Sequence, residues 1–390
     1  MNMKTKLILI CSLALAVNLS AQPVVKRVLM EEFTTTLCGM CPPQTWNVNQ
    51  WHDQHTANTV LLTIHEGFGT DAMSNTFTDA IEQEFANPSF GFAPAIMIDR
   101  VTYPWLASEP YMPVGGFDSV VTRLINTESP RVGVNIQGTY NPSTRQISAT
   151  VTANFLLAVP NGDYRISLFL VEDSVIGSGT GYDQKCYDAT FANTHYPGQY
   201  NSSTSYISGY PHRHVLRAAL TPTWGASSVI PNSPALSTNY STTVSYTVPA
   251  NYDDSKISLV AFVAHYAANS TPSTTGNGNR WVLNANETAL TTNFTTAVND
   301  IPAEQFVTMQ VYPNPSAGFS NVHYSIKNAG DASLYISDLG GKRVMTVFED
   351  RAHAAGSFSA NLDMNEIAAG IYFVTLVTGE GIITSKMIRQ

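Results

Sequence analysis

Glu31-Glu32-Phe33-Thr34-Thr35-Thr36-Leu37-Cys38-Gly39-Met40-Cys41-Pro42-Pro43 is the stretch on which the reading of this chain turns. The run Val24 to Leu29 feeds into it as a strand, and Thr45 to His55 leaves it with helical character. The two cysteines therefore fall at a strand-to-helix turn, with Cys38 just ahead of the helix N-terminus. Thiols at C-x-x-C spacing can close there into a small disulfide ring. The partial positive charge of the helix end favours the Cys38 thiolate, the form a thiol–disulfide exchanger uses.

Working outward, the order is strand Val25–Phe33, helix Pro42–Thr56, strand Thr59–His65, helix Asp71–Phe85, strand Ala95–Ile98 and helix Phe117–Ile125. Thr59–His65 is almost wholly apolar or β-branched, as suits a strand buried on both faces. This alternation predicts a mixed sheet flanked by helices over residues 22–128.

The bulk numbers set limits. A chain of 390 residues suggests two or three domains. Charged residues are only 13% and the formal net charge is -9, which argues against a nucleic-acid partner. The first 21 residues have the form of a secretory signal: Lys4 and Lys6, the apolar core Leu7–Val17, and a small residue, Ala21, at the cleavage point. That core is too short to span a membrane, and no later stretch reads as a transmembrane helix. Cys11 leaves with the signal. Cys38, Cys41 and Cys186 remain, so one thiol is free, intermolecular or exchanging, and the simplest pairing is Cys38 with Cys41.

The first domain resembles the thioredoxin superfamily through Cys38-Gly39-Met40-Cys41 after a strand and Phe92-Ala93-Pro94-Ala95-Ile96-Met97-Ile98 later. The resemblance implies that Cys38 attacks and Cys41 resolves. It implies a proton-shuttling role for Glu32, and for Pro94 the place of the cis-proline that leaves backbone free to dock an extended substrate. Leu37 and Met40 depart from the family's usual residues beside the cysteines. One rival reading is a disulfide that only staples the turn. Another is a copper or zinc site at Cys38, Cys41 and His65, an incomplete ligand set as it stands. His52 and His55 read as solvated positions on the first helix. The expectation is no cofactor and no metal.

Ser129-Pro130 marks a change to period-two alternation, and residues 130–296 read as an antiparallel β-sandwich: 131–137, 146–152, Tyr164–Val171, Val244–Val248 and Ile257–His265. Between Gly177 and Tyr210 the pattern disappears. That stretch carries Cys186 and six tyrosines, and it reads as a loop packed over the sandwich or as a sticky surface for protein or glycan. Next comes Pro211-His212-Arg213-His214-Val215-Leu216-Arg217-Ala218, where His212 and His214 would share a strand face; Arg217 or a histidine is expected to pin the loop. With Arg280-Trp281-Val282-Leu283-Asn284-Ala285 and the dithiol domain, this segment resembles the family of secreted bacterial surface proteins related to outer membrane protein 28.

After the linker Asn299-Asp300-Ile301-Pro302, residues 303–390 alternate as a small Ig-like sandwich of roughly seven strands. Tyr312-Pro313-Asn314-Pro315 with Gly318, Asp338-Leu339-Gly340-Gly341-Lys342, Gly370-Ile371-Tyr372 and Lys386-Met387 resemble the C-terminal sorting domain of type IX secretion cargo. That resemblance implies passage through the periplasm and outer membrane by the type IX machinery. Removal of the domain would follow, with attachment to surface lipopolysaccharide or release outside the cell. The expected fold is thus multidomain, α/β plus all-β. The expected function is thiol–disulfide exchange on substrate protein thiols or disulfides at the cell surface. The alternative is a non-catalytic surface binding protein or adhesin with a structural disulfide.

Overall fold

The computed structural model describes residues 24–67, 69–85, 92–107, 110–267, 280–296, 309–326, 329–338, 342–378 and 381–390. The signal over 1–21, the linker Asn299-Asp300-Ile301-Pro302 and the Gly340-Gly341 step lie outside the described residues. The chain forms two compact units, Met1–Asn299 and Asp300–Gln390.

The first unit opens with β1 (Val28–Thr34), α1 (Cys41–Gln54) and β2 (Thr59–His65). β1 and β2 are parallel, and every residue of both is buried, which explains why neither alternates. Pro42 and Pro43 occupy the first turn of α1, where an amide N–H would have no helical partner. α2 (Thr76–Phe85) begins later than its apolar spacing predicts. Asp71–Ser74 closes a separate turn, and Asn75 Oδ1 accepts from the N–H groups of Phe77 and Thr78, capping the helix there. β3 (Ala95–Ile98) flanks β1 antiparallel, β4 (Met112–Pro113) adds to its edge, and α3 (Phe117–Thr127) follows. One sheet face packs Val28, Met30 and Leu61 against Val48 of α1 and Val120, Val121 and Leu124 of α3. The other packs Leu29, Phe33, Val60, Leu62 and Ile64 against Ile81 and Phe85 of α2.

β5 (Val132–Asn141), β6 (Gln146–Phe155) and β7 (Asp163–Glu172) come next. A small group follows: β8 (Gln184–Lys185), α4 (Ala189–His195), β9 (Tyr200–Asn201) and β10 (Tyr206–Ile207). The unit ends with β11 (Val215–Ala219), β12 (Asn239–Thr247), β13 (Ile257–Tyr266), β14 (Val282–Ala289) and β15 (Asn293–Thr295). The sheet β12-β6-β5-β15 lays Val134, Ile136, Ile147 and Val151 on Ile166, Leu168 and Leu170 of β7 and Leu259 and Val263 of β13. That is the expected sandwich.

The second layer of that sandwich is not a separate sheet. Eight strands run continuously in the order β14-β13-β7-β11-β2-β1-β3-β4. Residue 130 therefore marks a change of pattern and not a gap between packed bodies. The joint is β11, which is antiparallel to β7 on one side and parallel to β2 at Val215↔Thr63 on the other; Thr63 N donates to His214 O (2.7 Å). The His212-to-Arg217 run is thus the seam of the sheet. Across it, Phe169 and Val171 of β7 and Val260 and Phe262 of β13 extend the apolar layer of Leu29 and Phe33. Two buried ion pairs hold the same region. Arg100 bonds Glu31 through two nitrogens (2.6 and 2.8 Å) among the rings of Phe85, Trp224 and Phe262, and Lys26 meets Asp99 at 2.7 Å.

The second unit contains β16 (Met309–Tyr312), β17 (Phe319–Ile326), β18 (Gly330–Ser337), β19 (Arg343–His353), β20 (Gly356–Asp363), β21 (Gly370–Thr378) and β22 (Gly381–Arg389). They form two sheets, β16-β17-β20 and β19-β18-β21-β22, closed over Val322, Leu334, Ile336, Leu362, Val374, Leu376 and Met387. Two of the motif pieces meet here. Asn314 Nδ2 donates to Lys386 O (2.7 Å) and Asn314 Oδ1 accepts from Ile388 N (2.9 Å), so the Tyr312-to-Pro315 turn clamps the terminal strand.

Candidate functional site

β1 ends at Thr34, and the chain folds on itself at once: Cys38 N donates to Thr35 O (2.9 Å) and Cys41 N to Cys38 O (3.3 Å). Cys38 and Cys41 are joined by a disulfide at the first residue of α1. Thr34 pairs with His65 and Phe33 with Ala95, so the dithiol turn, His65 and Pro94 all emerge at one end of the sheet. The Ala93–Pro94 bond is cis. Glu32 points to the α1 side, where Thr45 Oγ1 donates to its Oε1 (2.7 Å). Thr45 lies one helical turn beyond Cys41, which sets the carboxyl beneath the first turn of α1. Burial pushes the Glu32 carboxyl up to about 7, against the opposing pull of the Thr45 hydrogen bond. Its Oε2 has no protein partner.

The fold engages one ring nitrogen each of His52, His65 and His212, while the buried Nε2 atoms of His65 and His214 have no protein partner. His65 Nδ1 meets Asp71 Oδ2 (2.8 Å), and its ring packs edge-on to His212 at 5.1 Å. Burial alone would raise Asp71, but His65 and the amides of Thr36 and Met73 outweigh it and hold the carboxyl low. His212 Nε2 bonds Tyr182 O (2.8 Å), so a histidine does pin the long segment. Arg217 instead faces Glu172 (3.5 Å). His52, expected in solvent, is buried, with Nδ1 on Thr59 Oγ1 (2.8 Å) and its ring 5.1 Å from His214. His55 stacks on Trp51. Burial drives His52 and His212 down to about 3 and His214 to about 4. His212 and His214 take different ring partners because His214 turns the chain with φ 52°, so they form no chelating pair. Cys38 and Cys41 are closed in a disulfide, so in this state neither offers a thiolate to a metal beside His65. Among the described residues the one group with metal-ligand spacing is Glu66, Asp79 and Glu82, a cluster on the β2–α2 side.

The residues that sequence reading missed come from 177–210, whose edge 184–187 packs on the dithiol turn while Tyr182 packs against Met73, Val175 and Val215. Lys185 N donates to Thr36 O (2.8 Å) and Tyr187 N to Gly39 O (2.8 Å). Gln184 Nε2 lies within 3.4 Å of the carbonyls of Thr35, Thr36 and Cys38. The Tyr187 ring sits on Gly39 so closely that a Cβ there would meet it at 2.5 Å. Behind this edge, Cys186, Phe191, Ala192, Ile207 and Tyr210 form a small core with Trp46 of α1. As a result Cys38 and Cys41 are each only 1% exposed, whereas Leu37 and Met40 beside them are 42% and 64% exposed. Of the six tyrosines Tyr187 is exposed, Tyr210 is buried and the other four are half-buried, Tyr196 and Tyr200 packing on the small core behind the edge. Cys186 is a buried free thiol, raised by that burial and donating to Asp188 O (3.4 Å). The abundance of aromatic residues was the available signal for this satellite core.

Fold and site together define a class: an exported protein whose thioredoxin-like layer shares a sheet with a β-sandwich and is followed by a sorting module. The model of the family described as Outer membrane protein Omp28 matches residues 94–289, half of the chain, and the chain belongs to that family. The model for the Secretion system C-terminal sorting domain matches residues 310–390. That domain directs the protein through the type IX pathway to the outer-membrane surface or the extracellular space. The dithiol turn lies outside both matched segments. No curated protein matches the chain. Among solved structures, HBP35 of Porphyromonas gingivalis is similar in fold, with a TM-score of 0.50 at 14% identity over 94% of this chain and 99% of that one. A crystal structure from Agrobacterium tumefaciens matches at a TM-score of 0.39 and 12% identity, over 69% of this chain and 96% of that one. No helix among the described residues is long and apolar enough to cross a membrane.

Proposed function

We propose that this exported protein performs thiol–disulfide exchange at the Cys38–Cys41 pair. The observation that carries the reading is the disulfide at the first turn of α1 above a buried carboxyl, Glu32, raised to about 7. A substrate thiolate would attack Cys38 Sγ, and Cys41 would leave as a thiolate and take a proton from Glu32. A second substrate thiolate would then release Cys38, leaving a substrate disulfide and a reduced dithiol. From that reduced state the Cys38 thiolate would attack a misplaced substrate disulfide, one substrate sulfur leaving as a thiolate. Attack of another substrate thiolate on the mixed disulfide would release Cys38 again, so the same site isomerises. Pro94, at the same sheet end, would shape the groove for an extended substrate. No reductant is obvious outside the cell, which favours oxidation or isomerisation over reduction.

The test is the equilibrium of the full chain with glutathione, with Cys38→Ser and Cys41→Ser as controls. A reversible potential between about -270 and -120 mV supports exchange. The pH profile of exchange should inflect near 7 and lose that inflection in Glu32→Gln. A bond reduced only when the protein unfolds refutes the reading.

The burial of both cysteines favours a second reading, a staple for the turn with surface binding as the protein's role. For the mature form we propose attachment to surface lipopolysaccharide after loss of 303–390. Mass analysis of the surface fraction checks it, and retention of the C-terminal strands there would count against it.

A further inference from the structure

The segment between Val175 and His212 leaves the scaffold and returns to it at one point, closed by Val175 N to His212 O (2.8 Å) and His212 N to Val175 O (3.0 Å). Its leading edge, residues 184–187, runs along 36–39. Between them the Gln184 side chain and the amides of Lys185 and Tyr187 take the carbonyls of Thr35, Thr36, Cys38 and Gly39. The flat face that Gly39 leaves beside the disulfide is filled by the Tyr187 ring. These are the backbone acceptors and the one side-chain-free surface that a polypeptide laid against the turn would use.

We infer that residues 184–187 are a built-in occupant of the dithiol groove, and that reaction at Cys38 requires this edge to peel away. The inference rests on the dithiol acting as a redox pair, as proposed above. The edge has the parts for such a motion. Gly179 and Gly181 on one side and Gly209 on the other hold left-handed φ of 79°, 101° and 67°, and Gly179 and Gly209 have open space around them. Behind the edge, Phe191, Ala192, Ile207 and Tyr210 stay on Trp46, while Cys186, itself part of the edge, leaves that core as the edge opens. The occupant would be displaced by an extended, unfolded chain, which can replace each lost backbone hydrogen bond. A folded surface cannot, so the gate selects unfolded substrates.

The experiment follows reduction of the disulfide in the full chain by dithiothreitol, using alkylation and mass to count thiols, well below the unfolding midpoint. Gating predicts that the wild-type rate saturates as dithiothreitol rises, because opening becomes limiting. Gln184→Ala combined with Tyr187→Ala removes the contacts from the cap side. Gly39→Ala pushes Tyr187 off from the turn side. Each should speed reduction by roughly 10- to 100-fold, and should lower the unfolding midpoint by no more than that same fold-change in the folding equilibrium. Cys186 lies within the edge and should become alkylatable in step with disulfide reduction, while the tryptophan fluorescence stays native.

Equal rates in wild type and both variants overturn the gate, whether those rates are fast or slow. Disulfide reduction that leaves Cys186 protected from alkylation overturns the peeling edge, and reduction accompanied by loss of the native tryptophan fluorescence overturns it too, since the unit would then be melting. Fast variants that still pass no disulfide to a reduced, unfolded protein leave the gate standing and remove the exchange reading instead.

Discussion

Replacing Glu32 by Gln should stabilise the protein above neutral pH and leave it nearly unchanged in mild acid. The carboxyl is held at about 7 in the folded state against an ordinary value of 4.5. A raised carboxylate withholds stability as it ionises. The penalty is absent below the unfolded value, grows as pH climbs from 4.5, and is complete above 7. At about 1.4 kcal/mol per unit, the gap corresponds to about 3 kcal/mol at pH 8 and under about 1 kcal/mol at pH 5. Glutamine carries no charge at either pH and keeps an oxygen for the Thr45 hydroxyl. The assay is guanidinium unfolding of the oxidised protein at pH 5, 6, 7 and 8. It is read by tryptophan fluorescence, because all five tryptophans lie in the first unit. Glu66, also pushed up to about 7 by burial, tilts the wild-type profile the same way, so the difference between wild type and variant is the informative quantity. That difference should widen by about 2 kcal/mol from pH 5 to pH 8. Parallel profiles would refute the placement of an ionisable, unpaired carboxyl under α1.

Removing one member of the Arg100–Glu31 pair, by Arg100→Met, should cost about 3–5 kcal/mol, and adding Glu31→Leu should recover much of it; denaturant midpoints decide, and a loss below about 1 kcal/mol speaks against a buried pair. His52, His212 and His214 are buried neutral, so their contribution is full above their ordinary 6.5 and is lost as pH falls toward 3. His52→Gln should therefore move the acid-unfolding midpoint to lower pH, and an unmoved midpoint counts against the neutral ring. Deleting residues 310–390 should trap the protein in the periplasm, as read by cell fractionation; surface display of the truncated chain would contradict the sorting role.

Local signals carried most of what could be read from the residues. Cys38 to Cys41 between a buried strand and a helix, the alternation of 146–152, and the four C-terminal motifs each sit within a few residues of one another. Long-range pairing left no such trace. Nothing about Thr63 or Val215 marks them as neighbours, yet that contact turns two expected domains into one sheet. Glu31 and Glu32 are adjacent and both fully buried, but strand alternation sends them to opposite faces, one to Arg100 and one to Thr45. Only Glu32 was legible, through its place before Cys38 in the resemblance, because nothing in the sequence joins Glu31 to Arg100. The cap was unreadable for a different reason. Its strands are two residues long and its helix seven, too short for a period, and its order comes from burying Cys186 and Phe191 against Trp46.

Synthesis runs from the N-terminus, and the seam strand arrives late. Val215 is roughly 150 residues beyond Thr63, so β2 keeps an unpaired edge until two-thirds of the first unit has been made. The residues that cover Cys38 arrive only shortly before it. During that interval the two thiols lie on a turn with no lid, open to whatever oxidant the compartment supplies. Shielding thus belongs to the finished fold, and an exported molecule that never completes its seam would be recognisable by a Cys38–Cys41 bond that small thiols reduce at once.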